Sequence, residues 1–274
     1  YFAIGGIGAA FINAGILTLI SLAIVYYLGM ELSGHTITSC FLMFGFSLFG
    51  KNILNIWSIM AGVFLYAAYH KTPVTRYIYV GFYGTSLSPI ITQLMQIGHL
   101  SLFFRIPLSI LVGIVIGFVL PPLSTHSHYS HKGYSLYNVG FAAGIIATVI
   151  VSLMKSFGLE TESRLIWSTG NNGLLFVLLL LLFGGMIILS LEMSHNVCKR
   201  YKRILQTSGI GGTDYVKSEG LGPTLLNMGI NGIAATMVLL AVGGDLNGPT
   251  IGGILTVAGF SATGKHLRNI LPVM

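Results

Sequence analysis

The sequence predicts an all-α fold, a polytopic transmembrane helical bundle with an internal repeat and short re-entrant half-helices. Three observations predict it. First, charge is scarce: 14 Lys and Arg with 7 Asp and Glu make 8% of 274 residues, against about 25% in a soluble domain. With 54% hydrophobic residues and a mean hydropathy of +0.83, too little charge is left to cover a water-facing surface, and far too much apolar surface is present for a disordered chain. Second, the charges are segregated. None falls in 1–30, 32–50, 52–69, 77–104, 106–131, 133–154, 165–191, 220–244 or 246–264, and several of these runs exceed the roughly 20 residues that cross a bilayer as a helix. Third, residues 6–60 align without a gap with 220–274 at a constant offset of 214, and 18 of the 55 positions are identical.

The elements follow in order. Residues 4–29 form a first span; this stretch has no basic leading region and so reads as a membrane helix rather than a cleaved leader. Residues 34–50, GHTITSCFLMFGFSLFG, are short for a span and rich in Gly, Ser and Thr, and their copy 248–264, GPTIGGILTVAGFSATG, shares that character. Such segments suit half-helices that line a polar cavity. Spans follow at 53–70, 103–122, 137–157, 173–191 and 220–244. Residues 77–98 have the length to cross but are interrupted by Gly84, Ser86, Ser88 and Pro89. The two halves are inverted if 34–50 and 77–98 either both cross or both re-enter, and parallel if only one crosses; inversion is the expected arrangement. The repeat divides the chain into 1–219, one full unit, and 220–274, the start of a second. The chain therefore reads as a fragment that lacks the rest of that second unit.

Shared Gly, Asn, Ser, Thr and Lys carry the duplication, because apolar matches are common between any two membrane segments. The pairs include Asn13/Asn227, Gly15/Gly229, Gly34/Gly248, Thr36/Thr250, Ser47/Ser261, Lys51/Lys265 and Asn55/Asn269. Gly34 and Gly248 permit a tight entry into each half-helix. His35 and Thr36, with Thr250, then fall in first turns whose N–H groups and positive dipole end can receive the polar or anionic end of a solute. The reading expects these two Gly-x-Thr turns to lie close together near the membrane midplane. Ser47 and Ser261 would line the walls, and Lys51 and Lys265 the approaches. Asn13 and Asn227, in apolar spans, either bond across helices or face the route. Glu31 and Asp245, an acid at equivalent places, are expected to cap their half-helices or to hold a coupling proton or sodium ion.

His126, His128 and His131 are spaced for a metal such as zinc, but no Cys or carboxylate adjoins them, and interfacial histidines are the plainer reading. HExxH, GxSxG and P-loop motifs are absent from the sequence, so no enzyme activity and no cofactor is expected. Lys199, Arg200, Lys202, Arg203 and Lys217 cluster in one connection. The positive-inside rule places the loop 195–219 in the cytoplasm and the protein in the plasma (inner) membrane, with no nucleic-acid partner. Cys40 and Cys198 would sit in different compartments and are expected to stay free thiols. The partners are the lipid bilayer, a small polar or anionic solute and, as a homo-oligomer, further copies of the chain.

On GHTI…GFSLFGK and GPTI…GFSATGK, the plan resembles that of urea transporters and aquaporins, in which duplicated halves contribute short re-entrant helices to a narrow pore. The aquaporin Asn-Pro-Ala motif is missing, and no urea-transporter motif matches residue by residue. The chain also looks like an uncharacterised bacterial integral-membrane family of unknown function. The function expected is therefore transport of a small polar or anionic solute, by a channel-like facilitator or an ion-coupled carrier. Two other classes stay open: an intramembrane metal enzyme on the His126–His131 cluster, and a non-transporting assembly or sensor protein.

Overall fold

A computed structural model describes residues 1–98, 100–131, 138–159, 166–193, 195–209 and 213–273, with the backbone alone at 128, 130, 131 and 273. Among the described residues 77% are helical and none forms a strand. The helices are α1 (Phe2–Gly5), α2 (Ile7–Tyr27), α3 (Gly34–Ser47), α4 (Trp57–Tyr69), α5 (Ile78–Gly84), α6 (Ser88–Met95) and α7 (Leu102–His131). They continue as α8 (Asn138–Ser156), α9 (Asn172–Met193), α10 (Val197–Ile204), α11 (Tyr215–Ser218), α12 (Leu221–Ala241), α13 (Gly248–Phe260) and α14 (Leu267–Ile270). Among the described residues, five are long and apolar enough to cross a membrane: α2, α7 over Leu102–Ser127, α8, α9 and α12. The stretch 53–70 yields the 13-residue α4, shorter than a bilayer needs. The stretch 77–98 breaks where its Gly, Ser and Pro residues foretold, into α5, a 3₁₀ turn at Thr85–Leu87 and α6.

Two compact units result, cut differently from the sequence repeat: residues 1–49 with 167–274, and residues 50–166. In the first, α12 is the enclosed helix, with 44% of its span buried against 22% for α2. Gly229 and Gly232 let it approach α9 closely: a Cβ on Gly229 would meet the Phe183 carbonyl and Ile187, and one on Gly232 the Phe183 ring. The Ser190 hydroxyl also donates to the Gly222 carbonyl at 2.6 Å. Small residues and hydroxyl bonds of this kind join helices where lipid removes the hydrophobic drive between them. In the second unit, α4 crosses α7 on a small-residue seam, where added Cβ atoms on Gly62 and Gly117 would strike the Ile114 and Ile59 carbonyls. Large apolar side chains cover the outer faces, among them Ile12, Leu19, Phe141, Val149, Leu181 and Ile188, as lipid-facing positions require.

Candidate functional site

Several local features recur at the 214-residue offset within the first unit. Gly6 and Gly220 both open their spans at positive φ (84° and 92°), a region favourable only to glycine. Helix α2 covers 7–27 and α12 covers 221–241, the same interval shifted by 214. Ser33 caps α3 and Asn247 caps α13, each in a reciprocal box closed by Thr36 or Thr250. Thr36 Oγ1 donates to the Glu31 carbonyl at 3.5 Å and Thr250 Oγ1 to the Asp245 carbonyl at 2.8 Å. Asn13 Nδ2 donates to the Ser47 carbonyl at 2.8 Å, and Asn227 Nδ2 to the Ser261 carbonyl at 2.7 Å. Each short helix thus ends level with the asparagine six residues into its neighbouring span, about 9 Å from that span's start.

Helices α3 and α13 pack antiparallel against each other. Gly34 abuts the Ala262 carbonyl while Gly248 abuts the Leu48 carbonyl; Gly45 meets Gly252 while Thr38 meets Gly259. Adding or subtracting 214 exchanges the members of each contact pair, so the two copies meet about a local two-fold relation. This overturns one expectation. The Gly34-x-Thr36 and Gly248-x-Thr250 turns do not meet; they lie at opposite ends of the pair, about 20 Å apart for a 14-residue helix. The close approach in this antiparallel register runs through small residues: Gly45 lies against Gly252, and Gly259 against Phe41 and the Thr38 carbonyl. Glu31 and Asp245 go to opposite ends with them, so no single coupling ion can bridge both. The Glu31 side chain is exposed and faces Lys217 at 3.8 Å.

The N-terminus of α3 is also already engaged. Its Thr36 N–H donates to Ser33 Oγ, and its Gly34 N–H donates to both carboxylate oxygens of Asp214 at 3.0 and 3.1 Å. Asp214 Oδ1 further accepts from the N–H groups of Val216 and Lys217, and the Tyr215 N–H donates to the Ala262 carbonyl. A carboxylate from the chain's own basic connection therefore occupies the anion-favouring helix end. Beside it, His35 is held below the ordinary imidazole range by burial, against the opposing pull of the Asp214 carboxylate.

The buried polarity lies instead at the other end of α13. Asn227, Asn231 and Ser261 are all fully buried. Asn227 Nδ2 donates to the Ser261 and Lys265 carbonyls, at 2.7 and 2.6 Å. Asn231 Nδ2 donates to Ser261 Oγ at 2.7 Å and more weakly to Asn227 Oδ1 at 3.3 Å. Asn231 Oδ1 is buried with no hydrogen-bond partner among the described residues. Turning the amide over does not repair this, since it would set two carbonyl oxygens together at Asn227. A buried acceptor left unmatched costs about 1–3 kcal/mol, so this group invites a donor from outside the described residues. Lys265, whose carbonyl accepts from Asn227, and His266 are buried as well, next to the basic connection, where His266 Nε2 lies 2.9 Å from the Thr207 carbonyl. Burial pushes the Lys265 amine down to about 8, and burial likewise lowers the His266 imidazole. At Asn231 the first copy has Leu17, itself fully buried. The sequence reading missed Asn231 and Asp214. The signal for the first was a polar residue standing where the other copy is apolar; for the second, an acid within a basic stretch.

Other expected residues are placed elsewhere. Lys51 belongs to the second unit, where it is buried and its Nζ lies 3.5 Å from the Phe82 carbonyl at the break after α5. Ser47 is buried, with its hydroxyl on the Met43 carbonyl. His126 lies near the end of α7; the side chains of His128 and His131 are outside the described residues, and among those described no group of three His, Cys, Asp or Glu is placed to hold a metal. Cys40 and Cys198 are free thiols. A cavity of about 330 Å³ lies among α2, α3, α9 and α13, but Phe11, Phe41, Leu179 and Leu255 make its walls apolar, so it is suited to a hydrocarbon rather than to a polar solute.

The family comparison covers residues 1–156 and 193–274 with the description "Protein of unknown function (DUF1576)". The chain belongs to this family. No curated protein and no solved structure matches it. Membership of DUF1576 agrees with the expected likeness to an uncharacterised family and gives no activity to transfer.

Proposed function

We propose that this DUF1576 protein is a transporter of a small polar or anionic solute, with its binding site at Asn227, Asn231, Ser261 and Lys265. One observation carries the reading: a fully buried amide oxygen, Asn231 Oδ1, unmatched among the described residues inside a membrane-length apolar helix, in a network whose Asn227 bonds the backbone carbonyl of the buried Lys265. A polar group in a span is expensive and is kept where it serves a solute. The site lies at the C-terminal end of α13, in place of the helix N-terminal donors first expected. Because the cluster is sealed, the reading favours a carrier that opens to each side in turn over a standing pore. The two-fold exchange between α3 and α13 supports inverted repeats, with the axis in the membrane plane, and the basic connection supports a plasma-membrane protein whose 195–219 loop faces the cytoplasm.

The test is a solute-flux screen on the full-length protein in proteoliposomes, with and without proton and sodium gradients, using neutral polar and small anionic solutes. The expected result is saturable flux of one class that Asn231→Leu and Lys265→Met reduce at least tenfold. Flux that needs a gradient and fails in Glu31→Gln or Asp245→Asn makes it ion-coupled, with that acid on the coupling route. Absence of flux for every class with correctly inserted protein refutes the transport reading, and stoichiometric bound zinc in the same preparation would favour the enzyme.

A further inference from the structure

A second polar pocket lies within the unit 50–166, independent of the proposed transport site. It has a volume of about 360 Å³ and is walled by Tyr66 of α4, Arg76 and Tyr77 of the following connection, and Pro122, Thr125, His126 and Tyr129 of α7. That volume falls in the range of small-ligand sites, about 300–1,000 Å³. Except for Pro122, each of these side chains can donate a hydrogen bond or carries a cation. The Arg76 guanidinium lies over the Tyr77 ring, 5.9 Å from its centroid. It has no ion pair among the described residues, and the described part of this unit contains no Asp or Glu at all. A planar, permanently charged fork with no carboxylate partner among the described residues is suited to a phosphate oxygen pair.

The level of the pocket along the helices says where that phosphate comes from. Helix α7 has 30 residues, about 45 Å, and so outruns a hydrocarbon core of about 30 Å. Its apolar span is Leu102–Ser127, which brings His126 and Tyr129 to its end. The C-terminus of α4 is at the same level, with Tyr66 edge-on to Tyr77 and to Phe118 of α7. His70 and Lys71 end α4, and Arg76 follows. Tyrosines, a histidine and basic residues gathered at one helix end are the composition of the membrane headgroup zone, and basic pockets between spans at that depth receive anionic headgroups.

We infer that this pocket binds the headgroup phosphate of an anionic membrane phospholipid, with Arg76 as its principal ligand and the tyrosine hydroxyls and His126 around it. The experiment is lipid retention by the purified full chain, read by native mass spectrometry after exchange into phosphatidylglycerol, into phosphatidylcholine, or into detergent with inorganic phosphate. The expected result is retention of phosphatidylglycerol at least fivefold over phosphatidylcholine. Arg76→Gln should lower it about tenfold, Arg76→Lys should keep part of it, and Asn231→Leu should leave it unchanged. Thr125 is an exposed helix residue, so Thr125→Asp sets a negative charge at the pocket without touching the core and should abolish the preference even if Arg76→Gln folds poorly. Equal retention by wild type and Thr125→Asp overturns the proposal. So does saturation by inorganic phosphate with no preference between the two lipids, which would make the pocket a site for free phosphate.

Discussion

Replacing Asn231 by the residue its own repeat uses, leucine, separates a binding role from a structural one. The wild-type amide contributes one good bond, to Ser261 Oγ at 2.7 Å, and one long one, to Asn227 Oδ1 at 3.3 Å. Bonds between membrane helices are worth about 0.6 kcal/mol on average and at most about 1.7. Against them stands Asn231 Oδ1, buried without a partner among the described residues, which costs about 1–3 kcal/mol. Leucine removes that oxygen but takes the donor from Asn227 Oδ1, so one unmatched acceptor replaces another. The Ser261 hydroxyl still donates to the Val257 carbonyl at 2.8 Å. The net change in stability should therefore stay within about 1 kcal/mol, a shift in Tm of a few degrees. Solute flux should fall at least tenfold, because the leucine methyls fill the place where the solute's donor would sit. The paired assays are thermal unfolding in detergent and flux in proteoliposomes. Flux kept within twofold of wild type would refute the site. A loss of stability above about 3 kcal/mol would also refute it, since that is what breaking a structural network costs.

Other expectations can be checked on the same preparations. Gly117→Ala drives a methyl into the Ile59 carbonyl and should cost about 1–3 kcal/mol, whereas Gly144→Ala on α8, with nothing near its added Cβ, should be neutral or up to about 1 kcal/mol stabilising; the two melting curves decide. Asp214→Asn weakens the charged cap on α3 and should cost about 1 kcal/mol, with faster hydrogen exchange at Gly34 and in 213–218 as the specific readout. Lys71 ends α4 at φ 51°, a left-handed conformation that costs a side-chain-bearing residue about 1 kcal/mol, so Lys71→Gly should raise Tm. Lys265 has a folded value near 8, below its ordinary 10.5. Between these values the unfolded chain binds more protons, so stability should rise as pH is raised from about 8 to about 10. A Lys265→Met variant should lack that rise, and a wild-type profile flat over this window would refute the burial argument.

Composition alone determined the class. With 8% charge no other solvent than lipid can cover the chain, and charge-free runs set the spans at α2, α7, α8, α9 and α12 within a few residues. Matched local features were legible too, because Gly6/Gly220, Asn13/Asn227 and Thr36/Thr250 each perform a local task, a positive-φ cap, a bond one short helix away, a closing hydroxyl. Local tasks repeat when local sequence repeats. What sequence could not decide was how the copies meet. Whether the turns at Gly34 and Gly248 converge or lie at opposite ends depends on which side chains face each other across α3 and α13, and that is a property of two surfaces, not of either segment. For the same reason Asp214, 180 residues from Gly34, could be recognised as the cap of α3 only in the fold. Asn231 stood in plain view in its span, but its oxygen, unmatched among the described residues, became visible only once the helices were packed.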